Sequence, residues 1–526
     1  LTNNTYSGDT VVSNGTLQVG SASAISSVAN LNVGPLGTLD LAGFAESVNG
    51  LSGSGVVNNS GGTTIVFTTG GGNASSIWNG TITNTGGGGI TFNKIGVGAL
   101  TIGGTNFWTG NSSINGGSVE LTSGASVNGT GELRVGDSST ATFTNNGGKL
   151  SVSSWLVVGR TTATANGTLV VNSGTVEKTG GNNIVVGSVG ATGTLVVNGG
   201  QVLNNGMLWL GEGATANGYL YLNGGLIQAT QVRPNGATPL TSVAYFNGGT
   251  LQATASSADY LQSSGMVMSN GLVLDDNGFT LSIVTATLQA GDGFGGGFLK
   301  KGSGKVYLDT SSSFTGTTVV TNGTLAGIGS VVGPVVVAPA GTLGAGDAAG
   351  VGTFTINNNL TVQGTAALRI SKNGGTPVQD NVTVSGNINY TGSTLVITDI
   401  TADATPLAVG DTFQLFSVSG SVTGNPTLVG SPGTGLAFSF NPASGVLSVV
   451  ANSGPSGPAM LTNSYSGGVL SLSWPAGQGW RLQMQTNSLS VGLRTNWTYV
   501  TDGSVSSTNV TVDPTKPTTF FRLVYP

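Results

Sequence analysis

Phe143-Thr-Asn-Asn146-Gly-Gly-Lys-Leu150, Leu169-Val-Val-Asn172-Ser-Gly-Thr-Val176, Leu195-Val-Val-Asn198-Gly-Gly-Gln-Val202, Leu220-Tyr-Leu-Asn223-Gly-Gly-Leu-Ile227 and Val243-Ala-Tyr-Phe-Asn247-Gly-Gly-Thr-Leu251 are one pattern written five times. The key Asn returns after 26, 26, 25 and 24 residues. A second short strand interleaves with the first, as Leu133-Arg-Val-Gly136, Leu156-Val-Val-Gly159, Ile184-Val-Val-Gly187 and Leu208-Trp-Leu-Gly211. Each unit of about 25 residues therefore holds two or three short strands between Gly/Asn turns. A strand of four to six residues cannot bury its apolar face alone. Stacking coil on coil buries it, with parallel hydrogen bonding at ~4.8 Å per coil. A propeller blade needs roughly 40 residues and four longer strands, so the solenoid is the better fit. Asn146, Asn172, Asn198, Asn223 and Asn247 are expected to form an internal or turn-lining ladder of amides bonded to those above and below.

Composition agrees. Gly makes up 91 of 526 residues and charged residues only 7%, against about 7% Gly and about 25% charge in an ordinary globular chain. Disorder is argued against by alternating Val, Leu, Ile and Thr throughout. A spanning helix is argued against because no run approaches ~18 apolar residues. The 20 acids and 15 bases are scattered singly, so no basic stripe addresses nucleic acid. Cysteine is absent, so disulfides cannot hold the fold. Histidine is absent too, which removes His-based triads, paired-His zinc motifs and the commonest general base. Leu1-Thr2-Asn3-Asn4-Thr5 has neither a basic segment nor an apolar core, so any export signal is expected to have been removed already.

A second motif is spread more widely. It runs Tyr6-Ser-Gly-Asp-Thr-Val-Val-Ser-Asn-Gly-Thr-Leu17, Trp108-Thr-Gly-Asn-Ser-Ser-Ile-Asn-Gly-Gly-Ser-Val119 and Phe314-Thr-Gly-Thr-Thr-Val-Val-Thr-Asn-Gly-Thr-Leu325. Gly96-Val-Gly-Ala-Leu-Thr-Ile102 and Gly302-Ser-Gly-Lys-Val-Tyr-Leu308 precede the latter two. This arrangement resembles the autotransporter-associated β-strand repeat of bacterial surface and secreted proteins. The resemblance implies an all-β chain, a right-handed parallel β-helix, on the outside of a bacterium. Residues 1–333 read as solenoid repeats and 334–450 as the β-rich end of the solenoid. The latter contains Pro334-Val-Val-Val-Ala-Pro-Ala-Gly-Thr-Leu343, Thr353-Phe-Thr-Ile-Asn-Asn-Asn-Leu-Thr-Val362 and Asp411-Thr-Phe-Gln-Leu-Phe416. The residues after Val450 carry no series of ~10-residue amphipathic strands, so self-transport through a following barrel is not expected.

Residues 451–459 read as a linker and 460–526 as a small antiparallel β-sandwich holding Trp474, Trp480 and Trp497. Leu472-Ser-Trp-Pro475, Trp480-Arg-Leu482 and the Phe-Phe-Arg-Leu ending resemble a terminal module of secreted verrucomicrobial proteins. Such ends are thought of as sorting or attachment modules, and the resemblance names no ligand. The plain reading of these Trp is core packing, with an aromatic platform as the alternative.

Some β-solenoids degrade polysaccharides, which requires clustered carboxylates and a group to take a proton. The adjacent pair Asp275-Asp276 is followed by Asn277-Gly278, a turn composition. Glu132, Arg134, Asp137 and Arg160 occupy near-equivalent positions on consecutive coils and are expected to share a face as surface pairs. Gly291-Asp-Gly-Phe-Gly-Gly296 has dinucleotide-loop spacing but no following helix, and Lys300-Lys301-Gly-Ser-Gly-Lys305 belongs to the repeat. No catalytic residue, cofactor or metal site is expected, and the chain reads as a non-enzyme.

The expected object is an extracellular rod that associates head-to-tail with itself. The Gly-x-Gly-x-Leu strand found before Trp108 and Phe314 is missing before Tyr6, so the first coil reads as incomplete. Assembly is expected to use the ends: Leu1 and Tyr6 on one side and a strand of Phe520, Phe521, Leu523 and Tyr525 on the other. The competing readings are a monomeric surface adhesin that holds cell-surface glycans and, less favoured, a polysaccharide-degrading enzyme.

Overall fold

The structure is a computed structural model. It describes residues 4–236, 240–293, 295–403, 405–452, 459–476, 478–516 and 518–525. Leu1 lies outside the described residues, as does most of 451–459. The chain divides into two compact units. The first comprises 1–406, 412–430 and 440–448, and the second 407–411, 431–439 and 449–526.

The first unit is a parallel β-solenoid of about 16 turns. Its long sheet begins at Thr10–Gln18, which pairs in parallel with Leu31–Asp40, and continues coil by coil to Val422–Gly424. The Asn-bearing strands of the repeat lie here in strict register: Leu169 opposite Leu195, Leu195 opposite Leu220, and Leu220 opposite Ala244. The interleaved strands form a second parallel sheet, from Glu46–Val48 to Val232–Asn235. Leu133, Leu156, Ile184, Leu208 and Val232 stack there as one column. Beyond it a third sheet runs from Thr280–Ile283 to Thr427–Val429.

Period-two alternation explains the core. In Thr192–Val197 the side chains of Leu195 and Val197 point inward and are fully buried, while Thr194 and Val196 are half-buried on the outer face. Each fully buried Leu or Val contributes about 1.5–3 kcal/mol over the exposed side chain. Corners need residues that tolerate a left-handed backbone. Gly200 and Gly225 sit at a φ of 66° where a Cβ would lie about 2.5 Å from a carbonyl oxygen of the preceding coil, so no other residue fits.

In the second unit Thr462–Ser466, Val469–Ser473 and Ser507–Thr511 make one small antiparallel sheet. Thr498–Tyr499, Arg481–Thr486 and Thr519–Val524 make another. Leu472, Trp474, Trp480 and Leu482 are the buried core. Trp497 stands apart from that cluster, with the Arg522 guanidinium 4.2 Å above its ring.

Candidate functional site

The asparagine series forms a ladder on the turn surface. The Asn172 amide donates to Asn146 Oδ1 at 2.8 Å, Asn198 to Asn172 at 2.8 Å, and Asn223 to Asn198 at 2.9 Å. Below them Asn146 donates to Glu120 Oε1 at 2.7 Å. The ladder stops before Asn247, whose Oδ1 instead accepts from the Asn270 backbone and side-chain amides at 3.2 and 3.0 Å. The positive φ moves at that corner. It falls on the second residue after Asn172, Asn198 and Asn223, but on the first, Gly147 and Gly248, after the two end members Asn146 and Asn247.

A buried asparagine lies one position earlier. Asn145 is fully buried; its amide donates to Gly148 O at 3.0 Å and Thr175 O at 3.1 Å, and its Oδ1 accepts from the Gly148 amide at 2.8 Å. Every polar atom of that side chain is thus matched, which burial demands. Its signal in the sequence is parity. Phe143 and Asn145 share the inward positions of their strand.

Parity also exposes a device inside the wider motif. Phe92 and Lys94, like Phe298 and Lys300, are successive inward positions just before a corner. Both lysines are buried to 1% exposure or less. Lys94 Nζ donates to Ile95 O at 2.8 Å, Gly96 O at 3.2 Å and, on the next coil, Gly116 O at 3.3 Å. Lys300 Nζ donates to Gly302 O and Gly304 O at 2.9 Å each and to Asn322 O of the next coil at 2.7 Å. Three carbonyls match the three protons of an ammonium and offset part of its desolvation. Lys178 repeats the arrangement with Ser153 O and Gly180 O. Burial pushes the Lys94 ammonium down to about 8 and lowers Lys178 and Lys300 as well. The motif aromatics close the same corners. Trp108 stacks on Phe92 with ring centroids 4.4 Å apart, and Phe314 meets Phe298 edge-on at 6.5 Å. Tyr6, their counterpart, is exposed and hydrogen-bonds Thr10 through its hydroxyl.

The adjacent acids separate. Asp275 accepts from Gln252 and from the Asn277 amide at a turn. Asp276 is buried, 2.5 Å from Lys300 Nζ, and accepts the Gly278 and Gly304 amides.

At the far end of the chain, Phe520, Phe521 and Leu523 lie in Thr519–Val524, paired along its length with Arg481–Thr486. Phe521, Leu523 and Tyr525 pack on the core around Trp480. The second sheet brings Glu132, Arg134, Asp137 and Arg160 onto one face. Glu132 holds Arg134 at 2.6 Å and also Arg160, and Arg134 reaches Asp137 at 3.3 Å. Sequence reading missed Trp155, Trp209 and Glu212 on the same face, with the two indoles 5.4 Å apart.

Among known families, the passenger-associated-transport-repeat matches residues 1–19, 92–121 and 298–326. These are the segments that carry Tyr6, the Phe92–Trp108 corner and the Phe298–Phe314 corner. No curated protein matches the chain. With these repeats set in a parallel solenoid, the chain is a β-helix protein similar to an autotransporter passenger.

Proposed function

We propose that this chain is an extracellular, non-enzymatic structural protein whose solenoid stacks end to end on further copies of itself, forming surface or secreted filaments. The carrying observation is that the outermost described layers of the solenoid each pair on one side only within this chain. Thr10–Gln18 pairs with Leu31–Asp40 and with no other strand among the described residues, and Val422–Gly424 and Thr427–Val429 each pair on one side only. Val11 and Val429 are exposed there. A parallel edge of one copy laid on the opposite edge of the next continues the same ladder. That contact is head-to-tail and does not close, so it makes fibres. The passenger repeats support a place outside the cell.

End stacking is preferred to donation of the terminal strand, because Thr519–Val524 would first have to leave Arg481–Thr486 and uncover the Trp480 core. The test is negative-stain electron microscopy of the secreted protein, wild type and Val11→Lys/Leu17→Lys. Both side chains are exposed, so the fold tolerates the change. Filaments from the wild type and short particles from the variant are expected. Short particles from both overturn assembly, and equal filaments from both overturn stacking through this edge.

A further inference from the structure

On the second sheet, Val157 and Val185 occupy outward positions between inward neighbours, yet they are only 4% and 1% exposed. They form the floor of a depression of about 340 Å³, also lined by Trp155, Arg160, Ser188 and Glu132. Trp209 of a later coil leans toward Trp155. The interior of the same coils is filled by Leu156, Val158, Val186 and Leu210, so the indoles belong to an outer layer above Val157 and Val185. Surface ion pairs add little to stability, about 0–1 kcal/mol each. The depression itself is lined by Glu132, Glu212 and Arg160, and Arg134, Asp137 and Arg233 lie beside it on the same sheet, so across the face three acids meet three bases.

We propose that this lateral depression binds a neutral polysaccharide. A pyranose ring presents an apolar C–H face and a rim of hydroxyls. Indole faces suit the first; carboxylates and guanidinium groups held by each other suit the second, as acceptor and donor side by side. Charge balance provides no net attraction for a polyanion or a polycation. The backing is a parallel sheet in register on both sides, so the groups are held without ordering a loop, which lowers the entropic cost of binding. The site is independent of how the ends associate.

The test is affinity electrophoresis of the full chain in native gels containing a neutral glucan, mannan or xylan, with alginate as the anionic control. Retardation by at least one neutral gel is expected. It should weaken at least tenfold in Trp155→Ala and in Arg160→Ala, and persist unchanged in Val11→Lys/Leu17→Lys. A second measurement needs no variant: saturation with the retarding glycan should shift the tryptophan emission of the wild type. Retardation by alginate alone, by no gel, or to the same degree in Trp155→Ala and Arg160→Ala overturns the proposal.

Discussion

The corner at Lys94 and the corner at Lys300 are built alike, from an inward Phe, an inward Lys, a Gly-x-Gly turn and an aromatic ring returning to the Phe. They differ in one neighbour. Lys300 has the Asp276 carboxylate at 2.5 Å, both side chains wholly buried, whereas carbonyl oxygens alone surround Lys94 in the bonds that it makes. Carbonyl dipoles are therefore enough to hold a lysine at such a corner, and the acid adds a charge that must in turn be satisfied. The Asp276 Oδ1 accepts the Gly278 and Gly304 amides, while its Oδ2 lies against the Lys300 ammonium as a charge contact. The buried pair is better regarded as a register lock between coils than as a gain in stability, because desolvating two charges offsets most of their attraction.

The largest effect is expected from splitting the pair. Asp276→Ala leaves the Lys300 charge beside carbonyls alone and should cost about 3–5 kcal/mol in urea unfolding. Lys300→Met in the same chain should restore much of it. A loss below about 1 kcal/mol would mean that carbonyls serve Lys300 as fully as they serve Lys94.

The aromatic halves of the corners come next. Trp108→Ala should cost about 3–5 kcal/mol, since it empties a buried stack on Phe92. Tyr6→Ala, the same motif position in an exposed setting, should cost within about 0.5 kcal/mol. Equal losses would show that burial is not what separates the copies.

The pH dependence of stability sharpens the comparison further. The Lys94 ammonium titrates at about 8 in the native chain because burial disfavours its charge, against about 10.4 when unfolded. Between these values the unfolded chain keeps a proton that the native chain has shed, so stability rises with pH, at no more than about 1.4 kcal/mol per unit for this group. Urea midpoints should climb from pH 8 to 9.5, and Lys94→Met should flatten the climb. Higher pH works the other way, since buried Tyr260 and Tyr390 resist ionisation and unfolding releases them to ionise.

A small effect is expected at the surface ladder too. Asn198→Ala removes one bond given and one received on an exposed turn, so about 0.5–1.5 kcal/mol is expected. Asn247→Ala should leave the Asn172–Asn223 series intact, readable as unchanged amide exchange protection at those turns.

Much of this was legible in the chain itself. The 24–26-residue interval, the alternation and the Gly/Asn corners led to a parallel solenoid with Asn146, Asn172, Asn198, Asn223 and Asn247 in one line, of which Asn247 pairs instead with Asn270, and the aromatic–Gly motif led to the passenger repeat. Side-chain destinations were less legible. Lys300 was read as part of a motif, not as the ammonium that ties two coils, and Asp276 as a turn residue without its ion pair. Trp209 was read only as part of the repeating strand Leu208-Trp-Leu-Gly211, and Trp155 was passed over.

The division has a physical basis. Strand, corner and coil length are set by local terms: the period-two burial pattern and the left-handed tolerance of Gly operate over a few residues and are written in the sequence. Contacts between coils join residues 20 to 30 positions apart, as Lys94 does with Gly116 and Arg160 with Glu132. One residue of slip would turn every such side chain to the opposite face. The sequence by itself determined that the chain coils and stacks. Only the tertiary register decided which carbonyls cradle a lysine, and that two indoles and six balanced charges share one face.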